Sequence, residues 1–134
     1  MATRLSLQLV TPTQHILEIE CDEVRLPGSL GYFGVRPGHE PLLTTLEAGP
    51  LHFFSDGRPD AYAIVGGFAE ISDDRILVLA DEAVHVDTID LEHERAALEE
   101  ARKKLCEVQH DLVEHKALSA RVRRHAARVA AAGL

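Results

Sequence analysis

Proline and glycine divide this chain into two stretches that cannot share one kind of fold. All six prolines and eight of the nine glycines lie between Pro12 and Gly67, and neither residue occurs from Phe68 to Ala132. Glycine admits positive φ and proline fixes φ without donating a hydrogen bond, so the first stretch must turn often. The second is rich in strong helix formers, LEHERAALEEARKKLCEVQ above all, and is free to run in long helices. At 134 residues the chain suits one compact domain or a domain with a small appendage. Its 46% hydrophobic and 27% charged residues exclude wholesale disorder.

Within the first stretch the apolar period is two. Leu5, Leu7 and Leu9 alternate with Ser6 and Gln8, and Leu17, Ile19 and Cys21 alternate with Glu18, Glu20 and Asp22, as in half-buried strands. Further strands are predicted over 41–46, 51–55, 61–65, 68–72 and 76–80. Turn signals separate them at Pro27-Gly28, Pro37-Gly38, Gly49-Pro50, Asp56-Gly57 and Asp73-Asp74. Short strands at this spacing predict an antiparallel β-sandwich or flattened barrel.

After it, Leu91, Leu98, Leu105 and Leu112 recur every seven residues, with Ala101 and Val108 between them, which predicts a helix with one narrow apolar stripe. A second helical pattern places Leu118, Val122 and Val129 on one face, with Lys116, Arg121, Arg123, Arg124 and Arg128 around it. Only residues 110–115 offer a polar place to turn, so a hairpin and one continuous helix of roughly 60 Å both remain open. Charge divides at the same point: residues 1–90 carry 15 acidic and 5 basic side chains, and residues 91–134 carry 7 and 9. The acidic first part excludes nucleic acid as a partner. No apolar run approaches the ~20 residues of a membrane span and the N-terminus lacks a signal-peptide pattern, so no membrane insertion and an intracellular location are expected. Cys21 and Cys106 read as small core residues rather than a disulfide or a nucleophile.

The stretch GVRPGHEPLLTTLEAG sets His39 and Glu40 between prolines and glycines. No helix N-terminus or Lys-Ser/Thr pair follows to cradle phosphate, and HEPLL does not complete a zinc-binding HExxH pattern. His85 and Asp87 read as strand-end polarity rather than a metal edge, and no metal or catalytic residue is expected. A rigid loop presenting its tip to a partner is the expected role.

The run LPGSLGYFGVRPGHEPLLTTLEAGPL, then VGGFAEISDDRILVLAD, then Ile89-Asp90 before a helical tail resembles the epsilon subunit of the F-type ATP synthase over essentially the whole chain. The resemblance implies a β-sandwich over 1–87 that binds the gamma shaft and the ring of c subunits, and a mobile, regulatory two-helix hairpin over 88–134. It implies a non-catalytic rotor subunit that couples ion-driven rotation to ATP synthesis, peripheral on the cytoplasmic face of a bacterial inner membrane. Gly31, Tyr32, Phe33 and His39 occupy the implied contact loop. Some relatives carry a carboxylate at the position of Tyr32; an exposed Tyr32-Phe33 pair implies aromatic burial against the ring, while Phe33 equally reads as a plug of the sandwich.

Similar proteins extend the helices along the shaft into the catalytic head and block ATP hydrolysis, which implies that Arg121, Arg123, Arg124 and Arg128 meet acidic segments of the alpha and beta subunits. Some members also bind ATP through an Ile/Leu-Asp-x-x-Arg-Ala motif and two arginines one turn apart. Here Ile89, Asp90, Arg124 and Arg128 match, but His93 stands at the motif's arginine, so ATP binding is expected to be weak or absent and no cofactor is expected. Asp90 has another role available as a helix N-cap. Two further readings stand beside this one: a free-standing sandwich adaptor that dimerises through its helical arm, and a small metal-dependent enzyme using His39 and Glu40.

Overall fold

The computed structural model describes residues 4–108 and 110–133. Residues 1–3, 109 and 134 lie outside the described residues. Eight strands form one sheet that wraps into a flattened barrel: β1 Leu5–Val10, β2 His15–Cys21, β3 Glu23–Gly28, β4 Gly31–Val35, β5 Leu42–Thr45, β6 Gly49–Ser55, β7 Arg58–Ser72 and β8 Arg75–His85. Their order is β2-β1-β8-β7-β6-β3-β4, with β5 on the second half of β7. Every pairing is antiparallel except β1 with β8, which run parallel and join the β1–β2 hairpin to the β7–β8 hairpin. Links at one end draw β2 towards β6: Asp22 donates its N–H to the Phe54 carbonyl at 2.7 Å, and Arg4 reaches Ser55 Oγ at 2.9 Å.

The alternating residues of β1 and β2 behave as their period requires. Leu5, Leu7, Leu9 and Cys21 are buried among Val24, Leu26, Leu51, Ile64, Ile71, Ile76 and Val78. Each such aliphatic side chain contributes about 1.5–3 kcal/mol on burial, and this core is made of strand residues and Leu46 alone.

The predicted strands 61–65 and 68–72 are one strand of 15 residues. Gly66 and Gly67, at φ +66° and +109°, bend it without interrupting its register with β8. Its first half pairs with β6 and its second with β5. Two of the expected turns are also strand. Pro27-Gly28 closes β3 and Gly49-Pro50 opens β6, and both prolines still serve through their carbonyls, Pro27 to Glu47 N–H at 2.8 Å and Pro50 to the Tyr32 hydroxyl. Asp56-Gly57 and Asp73-Asp74 do turn, with positive φ at both positions of each two-residue loop, as a type I′ hairpin demands.

A short 3-10 turn at Val86–Thr88, capped by His85, leads to α1 (Leu91–Glu107) and α2 (Leu112–Ala132). The helical tail is a hairpin, and Leu112 belongs to α2, where it is exposed, rather than to the stripe of α1. Asp90 caps α1 by accepting from His93 N–H at 3.2 Å, and Asp111 caps α2 by accepting from Val113 and Glu114. Cys106 is exposed, against the core role expected of it.

A Cβ at Gly67 would stand 2.0 Å from the Leu79 carbonyl oxygen, whereas one at Gly38 (φ +88°) would meet nothing within 4 Å. Gly38→Ala should therefore lose only about 1 kcal/mol from backbone strain. Gly67→Ala adds a backbone collision and should lose roughly 3 kcal/mol or more, a contrast read directly from urea denaturation of the two variants.

Candidate functional site

The β3–β4 hairpin reverses over Ser29 and Leu30, and its tip is tied to β5 by Ser29 N–H to the Thr45 carbonyl at 3.0 Å and by a 2.6 Å contact between the two hydroxyls. Leu30 stands fully exposed at the turn beside Gly31. Tyr32 is half-exposed, its hydroxyl donates to the Pro50 carbonyl, and its ring tilts against His52. Burial pushes its phenol up to about 12 despite the Arg25 guanidinium nearby, so it is a neutral donor at physiological pH. Phe33 packs against the sandwich core. Of the two roles open to Phe33 the structure shows the plug of the sandwich rather than half of an exposed pair, and the apolar groups exposed at the tip are Leu30 and Tyr32.

His39 does not share this tip. β4 leads away from the hairpin turn for five residues, roughly 13 Å, before the loop that carries it. That loop is held at the other end of the strands, where Gly38 N–H donates to Asp74 Oδ1 at 2.7 Å. His39 Nδ1 lies 2.6 Å from the Glu40 carbonyl, so the ring is turned onto its own backbone. Among the described residues no group of three or more His, Cys, Asp or Glu is placed to hold a metal ion. Between the two ends, on the outward face of β5 and β7, Leu43 and Phe68 are exposed at 69% and 46%. Pairing of Thr45 with Phe68 and of Leu43 with Glu70 puts both on one surface.

The second cluster lies on α2. Arg124 Nε sits 2.9 Å from both oxygens of Glu82 on β8, and Arg128 Nη1 donates to Glu94 Oε1 of α1 at 3.2 Å. His125 Nδ1 is 2.5 Å from Glu94 Oε2. Glu94, only 7% exposed, is the one buried charged residue among the described residues. Burial works to raise its pKa, but hydrogen bonds and charge from His125 and Arg128 outweigh that and hold the carboxyl below its ordinary value. An ionised carboxylate only accepts, so His125 presents a protonated Nδ1. Arg121 and Arg123 are exposed and make no ion pair among the described residues. Ile89 packs against Ala63, Ala127 and Ala131. Sequence reasoning brought forward the arginines but not their carboxylate partners. Glu94 was visible in the heptad, since it occupies the position between Leu91 and Leu98 that Ala101 and Val108 fill in the next repeats.

Comparison with known proteins agrees with this architecture. Residues 4–86 match the family described as the ATP synthase delta/epsilon chain, beta-sandwich domain. Over 129 residues, 96% of this chain, it is 46% identical to the ATP synthase epsilon chain of Anaeromyxobacter sp. (strain K), of which 98% is covered. It is 41% identical to the ATP synthase epsilon chain of Myxococcus xanthus, with 96% of this chain and 95% of that one covered. A chain of the Euglena gracilis mitochondrial ATP synthase, from its OSCP/F1/c-ring assembly, superposes with a TM-score of 0.83 at 28% identity, covering 94% of this chain and 79% of that one.

The Glu94 cluster sets a pH dependence. A carboxyl whose pKa is lower folded than unfolded adds stability that is complete above its ordinary value, here 4.5, and is lost as pH falls through the folded value. Carbon-detected NMR titration of the Glu94 carboxyl should give a midpoint below 4.5, and Glu94→Gln should reduce the acid loss of α1–α2 packing; a midpoint at or above 4.5 would contradict the arrangement.

Proposed function

The chain belongs to the ATP synthase delta/epsilon family, and from that premise we propose how its parts divide the work of a non-catalytic central-stalk subunit. It is a subunit of a membrane complex, and none of its described helices is long and apolar enough to cross a membrane. The sandwich is the fixed part. Its exposed tip, Leu30 with Tyr32 and Gly31, docks on the c-ring; its apolar face, Leu43 with Phe68, and the His39 loop at the far end dock on the gamma shaft. Tyr32 is the type of side chain that anchors an interface when a partner desolvates it, and the leucines and Phe68 add apolar area. The subunit then turns with shaft and ring at the cytoplasmic face of a bacterial inner membrane.

The hairpin over 88–134 is the movable part, and one observation carries this. The sandwich core holds no helical residue, whereas the apolar seam between α2 and the sandwich is built on Ala63, Ala127 and Ala131, with only Ala48 and Ile89 packed against them. An alanine methyl contributes about 0.8 kcal/mol when buried, so detaching α2 exposes little apolar surface and leaves the sandwich core intact. Extended, the hairpin presents Arg121, Arg123, Arg124 and Arg128 to acidic segments of the alpha and beta subunits and blocks ATP hydrolysis. ATP itself binds weakly at Ile89, Asp90, Arg124 and Arg128, because a phosphate must displace Glu82 and Glu94 from the two arginines. The dimerising-arm reading loses its basis, since the Leu98 and Ala101 positions of the stripe are buried within the chain's own hairpin.

The test is ATP hydrolysis by an epsilon-depleted catalytic head with its gamma shaft, given the full chain or a version ending at Asp87. Suppression by the full chain, with the truncated chain binding but not suppressing, is the expected result. Binding of both with suppression by neither would reduce the chain to a coupling element.

A further inference from the structure

The contacts of α2 are arranged in series. Helix α1 packs on α2, and α2 in turn lies on β6 and β7. Arg124, His125 and Arg128 fall at helix spacings that place them on one side of α2, and each meets a carboxylate on another element. Glu82 ties α2 to the sandwich, and Glu94 ties α1 to α2. The two pairs differ in setting. Arg124 and Glu82 are about one-third exposed, which makes that tie weak and sensitive to salt, whereas Glu94 and His125 are 9% and 13% exposed at the side chain. Removing one member of a buried charged cluster leaves the others without a partner, so the second tie is the stronger. The alanine seam adds little to either.

We propose that Glu82 and Glu94 form a two-stage carboxylate latch that keeps the hairpin folded with no ligand bound. The Glu82 stage releases the closed hairpin from the sandwich, and the Glu94 stage separates the two helices. While the latch is shut, Arg124 and Arg128 are withheld from any acidic partner and only Arg121 and Arg123 are presented. The proposal rests on the tail's being the part that moves, but its stages are measurable in the isolated full chain.

Thiol labelling separates them. In a Cys106→Ser background, Ala127→Cys puts a reporter in the α2–sandwich seam and Ala101→Cys puts one between α1 and α2, both at positions under 3% exposed. Native Cys21, fully buried in the sandwich, reports global unfolding in the same sample. Glu82→Gln should speed labelling of the seam thiol roughly threefold, with the interhelix thiol and Cys21 unchanged. Glu94→Gln should speed labelling of the interhelix thiol roughly tenfold, again with Cys21 unchanged. Glu82→Arg combined with Arg124→Glu should restore seam protection. Rates within twofold of the parent, or Cys21 accelerating in step with the reporters, would overturn the latch. Should a reporter unfold the chain, amide exchange of Ala101 and Ala127 without reporters gives the same comparison, because a detached helix of this length frays. In the hydrolysis assay Glu82→Gln should deepen suppression; faster labelling with unchanged suppression would keep the latch and remove the inhibitory reading of the tail.

Discussion

A strand of fifteen residues cannot follow a sheet around the edge of a flattened barrel unless it bends, and β7 bends where the Leu79 carbonyl leaves no room for a side chain. Everything else in the sandwich hangs on that strand. Before the bend it carries β6 and, through β6, the β3–β4 hairpin; after the bend it carries β5; on both sides of the bend, from Tyr62 to Ser72, it keeps one register with β8. The apolar face of Leu43 and Phe68 exists because the second half of β7 turns to meet β5. Ala63, on the first half, is where α2 rests. One glycine pair thus sets both the exposed apolar face and the seat of the hairpin.

The division between a turn-rich sandwich and a helical tail with no proline and no glycine before Gly133 was legible because it follows from backbone chemistry alone. Alternation in β1 and β2 was legible because each strand buries one face. What the sequence concealed were the places where a local signal meant something else in three dimensions. Gly66-Gly67 carries the same local signal as a turn, yet the register with β8 is the same at Val65 and at Gly67, so the pair only changes the strand's direction. Pro27 and Pro50 signal breaks, but their strands need only their carbonyls. The β3–β4 hairpin was hidden inside a glycine-dense stretch read as loop, so His39 was grouped with Gly31, Tyr32 and Phe33 although a strand separates them.

The functional residues divide the same way. Four arginines on a helix are conspicuous in sequence, but that two of them, Arg124 and Arg128, are paired depends on carboxylates from β8 and α1 that no spacing rule connects to them. Glu94 alone left a trace, as the charged residue in an apolar heptad position. Its pairing holds the His125 ring, while His93, the residue before Glu94 in α1, contributes its backbone N–H to the Asp90 cap.

The alanine seam under α2 has a kinetic side as well. Interlocked leucines or phenylalanines must leave their rotamer wells before one surface can lift from another, and that sets a barrier beyond the area exposed. Alanine has no side-chain rotamer to unlock. A helix resting on Ala63 through Ala127 and Ala131, with Ile89 bringing the one larger side chain of that cluster, would meet little steric friction in the exchange proposed above, whose speed would then follow how fast the Glu82 and Glu94 pairs break and re-form.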